Sequence, residues 1–95
     1  MRLVSQDGMV DVPYEISALS IGRIGESSTI YIRSKLLDEK PYVFATYSTE
    51  AKALRVMEML RGEYLQYCTA RSNEYWFAFN NPKAFQFPKD EEVEV

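Results

Sequence analysis

The 95-residue chain is 46% hydrophobic and 26% charged, ordinary globular proportions that argue against disorder over most of its length. Its formal charge of −3 sits at one end: residues 89–95 set Lys89 against Asp90, Glu91, Glu92 and Glu94, leaving ten basic and ten acidic residues in the rest. So balanced a body lacks the basic footprint of nonspecific DNA or RNA binding, and with no His and a single Cys it has neither a Ser–His–Asp triad nor the ligands of the usual Cys/His zinc sites.

Area scaling predicts that a chain of this length buries roughly 65% of its extended surface on folding, enough for one core. One domain is expected over residues 1–88. The opening Met1-Arg2-Leu3-Val4-Ser5-Gln6-Asp7 turns polar too early for a signal-peptide core, and no apolar run approaches the roughly 20 residues of a membrane helix. Together with a lone Cys68, which has no partner for an internal disulfide, this reads as a cytoplasmic protein without a membrane partner.

In chain order, Met1–Ser5 reads as a short strand, Gln6-Asp7-Gly8 as a turn able to take positive φ, and Met9–Val12 as the returning strand. Pro13 removes a donor and pushes Val12 toward extended geometry, so this second strand ends there or lies at an edge. Ile16–Arg23 alternates, with Leu19 and Ile21 on one side and Ala18 and Ser20 on the other; Thr29–Arg33 does the same, Ile30 and Ile32 against Tyr31 and Arg33. The turn-rich Gly25-Glu26-Ser27-Ser28 between them predicts a second hairpin. Leu36–Pro41 reads as a loop or one short helical turn, and Tyr42-Val43-Phe44-Ala45 as a strand that hands the chain to a helix.

That helix is predicted over Ser48–Tyr67. Ser48 is expected to cap it and Glu50 to complement its positive end, while Ala51 leaves the capping box incomplete. Ala53, Val56, Met57, Leu60, Tyr64 and Tyr67 fall on one stripe. Lys52, Arg55, Glu58 and Gln66 point away, with Arg55–Glu58 and Glu58–Arg61 spaced as i,i+3 ion pairs. Such a helix is marginal alone in water, so a sheet must lie across the stripe.

Beyond a polar Thr69–Glu74, aromatic residues crowd together: Tyr75, Trp76, Phe77 and Phe79, an Asn80-Asn81-Pro82 turn, then Phe85 and Phe87. This predicts a closing hairpin, followed by an acidic, frayed tail over residues 89–95. The expected fold is α+β: an antiparallel sheet of five to seven strands built from hairpins, with the one main helix packed on one face.

Three stretches carry a family resemblance. Met1-Arg2-Leu3-Val4-Ser5-Gln6-Asp7-Gly8 with Asp11-Val12-Pro13-Tyr14-Glu15, Tyr47–Ala53 leading to Met57–Arg61, and Phe85-Gln86-Phe87-Pro88-Lys89-Asp90-Glu91 resemble a family of small uncharacterised proteins from Gram-positive bacteria, some encoded in prophages. The resemblance implies a cytoplasmic origin and raises a phage linkage; it brings no activity, ligand or functional residue, and it does not extend to Ser17–Lys40.

The remaining chemistry reads structurally. Cys68 has no His base and falls near the buried stripe, as a small buried hydrophobe would. The acidic tail lacks EF-hand spacing. Gly22-Arg23-Ile24-Gly25 has the Gly-x-x-Gly form of a nucleic-acid clamp, yet lies at a strand end before a turn instead of between helices. No phosphate-binding glycine motif is present. Neither a catalytic residue nor a cofactor or metal site is expected. Tyr75, Phe77 and Phe79 on one face of a strand, with Trp76 on the other, are the candidate interaction residues; core packing is their alternative role.

Two functions follow as expectations. The first is a noncatalytic protein-interaction or assembly module, binding a protein partner or a second copy of itself across an open sheet edge. The second is a sheet-based binder of single-stranded nucleic acid, with Tyr75, Trp76 or Phe77 as stacking platforms and Arg23, Arg33 or Arg71 near phosphates.

Overall fold

A computed structural model of the chain describes residues 1–38, 40–73 and 84–94, with backbone alone at Leu36 and at 70–73. Its elements are β1 (Arg2–Val4), β2 (Asp11–Pro13), β3 (Ser17–Ile24), β4 (Ser27–Ser34), β5 (Tyr42–Tyr47), α1 (Glu50–Asn73) and β6 (Ala84–Gln86), with 3₁₀ turns at Tyr14–Ile16, Lys35–Leu37 and Asp90–Glu92. The class is α+β, as the sequence predicts. Instead of one sheet there are two of three strands each, ordered β2-β1-β6 and β3-β4-β5.

The division falls at Pro13. Lacking an N–H, Pro13 takes the outer strand position opposite Arg2, and the chain then leaves the first sheet through the Tyr14–Ile16 turn, closed by a hydrogen bond from Ser17 Oγ to Pro13 O at 2.7 Å. β6 returns from the far end of the chain to lie parallel to β1, Leu3 opposite Phe85. A closing hairpin would have joined β6 to the 75–79 stretch, which lies outside the described residues; the pairing observed is with the first strand. The opening hairpin turns where expected, at Gly8 with φ +78°. Ser5 Oγ donates to Asp7 Oδ1 at 2.6 Å and Met9 N–H to the same oxygen at 2.9 Å. These bonds, the Ser5 hydroxyl first, hold the Asp7 carboxyl below its ordinary range.

In the second sheet, Ile24 pairs with Ser27, so the loop is only Gly25-Glu26. Gly25 at φ +63° supplies the positive φ that a type II′ hairpin turn needs at its first central position. Ser27 and Ser28, expected in the turn, instead begin β4, and Ser28 is buried. β5 carries a bulge: Ala45 lies opposite Ile30 but Val43 opposite Tyr31. The extra residue turns both Phe44 and Ala45 inward, where both are buried, an arrangement simple alternation forbids.

α1 begins one residue later than predicted. Thr49 Oγ1, not Ser48, accepts the free Lys52 N–H at 3.2 Å, and the helix continues through the polar residues past Tyr67 to Asn73. The stripe holds: Ala53, Val56 and Leu60 are buried, with Met57, Tyr64 and Tyr67 half-buried against the same core. Full burial of Val56 or Leu60 contributes about 1.5–3 kcal/mol each. Arg55 and Glu58 pair at 3.1 Å on the exposed side. Lys52, expected to point away, instead donates through Nζ to Asp90 O at 3.0 Å and approaches Asp90 Oδ2 at 3.4 Å.

The supposedly frayed tail is docked. Val93 is 5% exposed and belongs to the core, and Phe87 packs edge-on against Phe44 and Phe85, with ring centroids 5.5 and 5.3 Å apart. Asp90 Oδ1 accepts both the Ser48 N–H at 2.8 Å and the Ser48 hydroxyl at 3.1 Å. Charge density predicted disorder here; the carboxylate instead meets unbonded donors beside the start of α1, which composition does not reveal. The Ser48 N–H, the Ser48 hydroxyl and the Lys52 ammonium hold the Asp90 carboxyl below its ordinary range.

A carboxyl so lowered stabilises the fold above its unfolded pKa and loses that contribution as pH falls through the folded one. Asp90→Asn is therefore expected to lower the urea midpoint at pH 7, and its deficit against the parent protein to shrink below about pH 4, near the unfolded carboxyl value. Urea titrations at pH 7, 5 and 3 check this; a deficit independent of pH would contradict it.

Candidate interaction surface

The second sheet has one face covered by α1 and a second face that is exposed at Ala18, Ser20 and Arg33 and buried at Thr29. α1 lies over β4 and β5, burying Ile30, Ile32, Phe44, Ala45 and Tyr47. Leu19 and Ile21 on β3 share this inner face but remain half-buried. On the other face β3 presents only small residues along its middle, Ala18, Ser20 and Gly22, opposite Arg33, Tyr31 and Thr29.

Gly22 has a packing reason. A Cβ at this position would lie 2.7 Å from Tyr31 Cε2, so the missing side chain lets the Tyr31 ring lie across β3. Gly25 is occupied by its turn. Both glycines of Gly22-Arg23-Ile24-Gly25 are thus accounted for at a β-hairpin end, which is not the setting of a Gly-x-x-Gly clamp. Arg23, on the inner side near the turn, stands 3.9 Å from Glu50, both side chains largely exposed; Arg33 is exposed on the outer face.

The sheet edges differ in what meets them. β2 is blunted by Pro13. Along β5, Gln6 N–H donates to Phe44 O at 2.8 Å, while the Gln6 amide accepts from Thr46 N–H at 3.0 Å and donates to Thr46 O at 3.2 Å. One side chain thus supplies a donor and an acceptor as a neighbouring peptide would. β3, eight residues long, pairs only with β4 among the described residues. The two-residue loop aims the N–H and C=O of Ile24, Gly22, Ser20 and Ala18 at β4, so those of Ser17, Leu19, Ile21 and Arg23 project outward. Apolar side chains stand at both ends of this edge, Ile16 at 44% and Ile24 at 55% exposed.

Two open clefts flank the strand. One, about 410 Å³, lies between Ile16–Ala18 and Arg33–Lys35. The other, about 420 Å³, separates Tyr14, Glu15 and Leu19 from Met57, Leu60, Arg61 and Tyr64 on α1. Tyr14 and Tyr64 rings meet in its wall with centroids 4.2 Å apart, and Glu15 takes the Met1 ammonium at 2.9 Å. A hydrogen bond with Cys68, then partial burial, pushes the Tyr64 phenol up to about 12. Cys68, expected as a small core hydrophobe, is half-buried beside Tyr64. Among the described residues no three His, Cys, Asp or Glu side chains gather as a metal site, and no helix is long and apolar enough to cross a membrane.

The candidate interaction residues Tyr75, Trp76, Phe77 and Phe79 lie outside the described residues, as does the Arg71 side chain. The β3 edge replaces them as the surface that can be specified residue by residue. Its alternation was visible in the sequence; its place at an edge was not, because pairing partners are set by the whole topology. No family model, curated protein or solved structure matches the chain.

An open edge predicts an alternating exchange pattern. In dilute solution the outward amides of Leu19 and Ile21 are expected to exchange with solvent deuterium faster than the paired amides of Ser20 and Gly22. Residue-resolved NMR exchange measures this; equal protection at all four would mean that the edge is covered.

Proposed function

We propose that the protein is a noncatalytic protein-interaction or assembly module of the cytoplasm, docking its partner along β3. The observation that supports this reading is the contrast among three edge strands: β2 ends in Pro13 and β5 is met by Gln6, whereas β3, paired among the described residues with β4 alone, offers four outward peptide groups with no Pro, no Lys and one Arg. An edge left in that state is a template for adding a strand, with main-chain hydrogen bonds giving affinity and flanking side chains giving selectivity. The cytoplasmic assignment rests on Cys68 as a half-buried free thiol, and a phage setting rests on the family resemblance alone.

The test is site-resolved photo-crosslinking in the cells that make the protein. A photoreactive residue at Ala18, at the exposed margin of β3, is expected to trap a defined protein chain, its own or another; the same residue at Glu58, on the exposed side of α1, is expected to trap none. Equal trapping at both positions, or none at Ala18, would remove the proposal.

One observation favours a second reading, binding of single-stranded nucleic acid: the Tyr31 ring lies on the outer face with Arg33 two positions along. Stacking of a base on such a ring contributes about 1–3 kcal/mol. On this reading Tyr31→Ala weakens binding of a labelled oligonucleotide about 5- to 100-fold at low salt. Failure of the parent protein to bind at 20 mM salt would eliminate it.

A further inference from the structure

We infer that the strand received by β3 is β3 of a second copy, joined about a two-fold axis normal to the sheet that passes beside Ser20. This rests on the interaction reading above and names its partner. Two geometric conditions restrict how β3 can pair with itself. A two-fold that continues the sheet keeps each residue on its own face, so opposed residues must share parity. The hydrogen bonds must also come from Ser17, Leu19, Ile21 and Arg23, whose peptide groups project outward.

The register centred on Ser20 meets both conditions and matches the side chains. Leu19 then faces Ile21 of the second copy on the inner side, as a hydrogen-bonded pair. These are the two apolar residues of β3 that α1 leaves half-buried, and each supplies the cover the other lacks. On the outer side Ala18 meets Gly22 of the second copy, small against small, and Ser20 meets itself. Ile16, in the 3₁₀ turn just before β3, and Ile24, its last residue, are the exposed apolar side chains at the two ends of the edge, and the antiparallel register brings an Ile16 end next to an Ile24 end twice by the symmetry. Arg23, the only charged residue of β3, meets Ser17 of the second copy, and no like charges are opposed along the two strands. The product is one six-stranded antiparallel sheet with both α1 helices on the same side. Its contact is of strand width, at the small end of specific interfaces, which makes the dimer weak and concentration-dependent.

Sedimentation equilibrium of the full chain from about 5 to 500 µM, a range that brackets such an affinity, is expected to show monomer and dimer in exchange. Ser20→Lys and Ser20→Glu each place like charges opposite one another at an exposed position; each alone is expected to be monomeric, and an equimolar mixture to recover the dimer. Circular dichroism confirms that both variants stay folded. Independently, Ser20→Cys in a Cys68→Ala background is expected to give a disulfide-linked dimer under mild oxidation, while Ala18→Cys is not. A strict monomer, a dimer indifferent to Ser20→Lys, or a mixture that stays monomeric would overturn the inference. Each would leave the interaction reading standing if photo-crosslinking at Ala18 traps a different protein.

Discussion

The fold hangs on a seam of polar groups between two sheets that share no strand. Gln6, just past β1, bonds the edge of β5 through its own N–H and through both ends of its side-chain amide, and its Nε2 also reaches Pro88 O at 3.0 Å. Tyr47, the last residue of β5, donates its hydroxyl to the same Pro88 oxygen at 2.7 Å. Two residues further on, Asp90 fastens the segment to the start of α1. Phe44, whose carbonyl accepts the Gln6 N–H, also packs its ring on Phe87 in the core, so the seam and the apolar layer meet at the same residue; the Tyr47 and Gln6 bonds to Pro88 are partly buried there.

This arrangement explains why the acidic segment around Asp90 is held against the core instead of fraying. Burial, with the nearby Asp90 and Glu92 charges, pushes the Tyr47 phenol well above the ordinary tyrosine range. The acidic residues that dominate the net charge are therefore divided in purpose. Asp90 and Glu92 are structural, the latter accepting the Lys89 N–H at 3.0 Å, whereas Glu91 and Glu94 face solvent. The same seam decides which edges remain available. Because Gln6 meets β5, the edge of the second sheet that no other described strand or side-chain amide meets is β3, and the small residues along its outer face set no steric barrier there.

Legibility varied with the range of the interaction. The opening hairpin could be read from Asp7-Gly8, the second from Gly25 and two alternating runs, and the buried stripe of α1 from the spacing of Ala53, Val56 and Leu60, because each depends on residues within a few positions. The bulge at Phe44, the parallel return of β6 to β1 and the docking of Asp90 and Val93 carry no such signal. Thr49 and Ser48 are equally good caps by chemistry; Asp90, 42 residues away, takes Ser48 and leaves the role to Thr49. For the candidate surface, the alternation of Ala18, Ser20 and Gly22 with Leu19 and Ile21 could be read directly, but the value placed on Tyr75–Phe79 came from aromatic composition alone, which does not distinguish core from surface.

From the chain itself came the α+β class, the presence and hydrophobic face of a single long helix, two hairpin turns and the lack of a His-based catalytic apparatus, since these follow from local backbone preference, side-chain periodicity and inventory. The split into two sheets, the capture of the acidic residues 90–93 and the position of β3 as an edge strand among the described residues emerged only with the three-dimensional arrangement. The docking of the acidic residues and the covering of β5 rest on hydrogen bonds between residues 40 to 82 positions apart, and a donor or acceptor in a sequence carries no mark of which distant group will satisfy it.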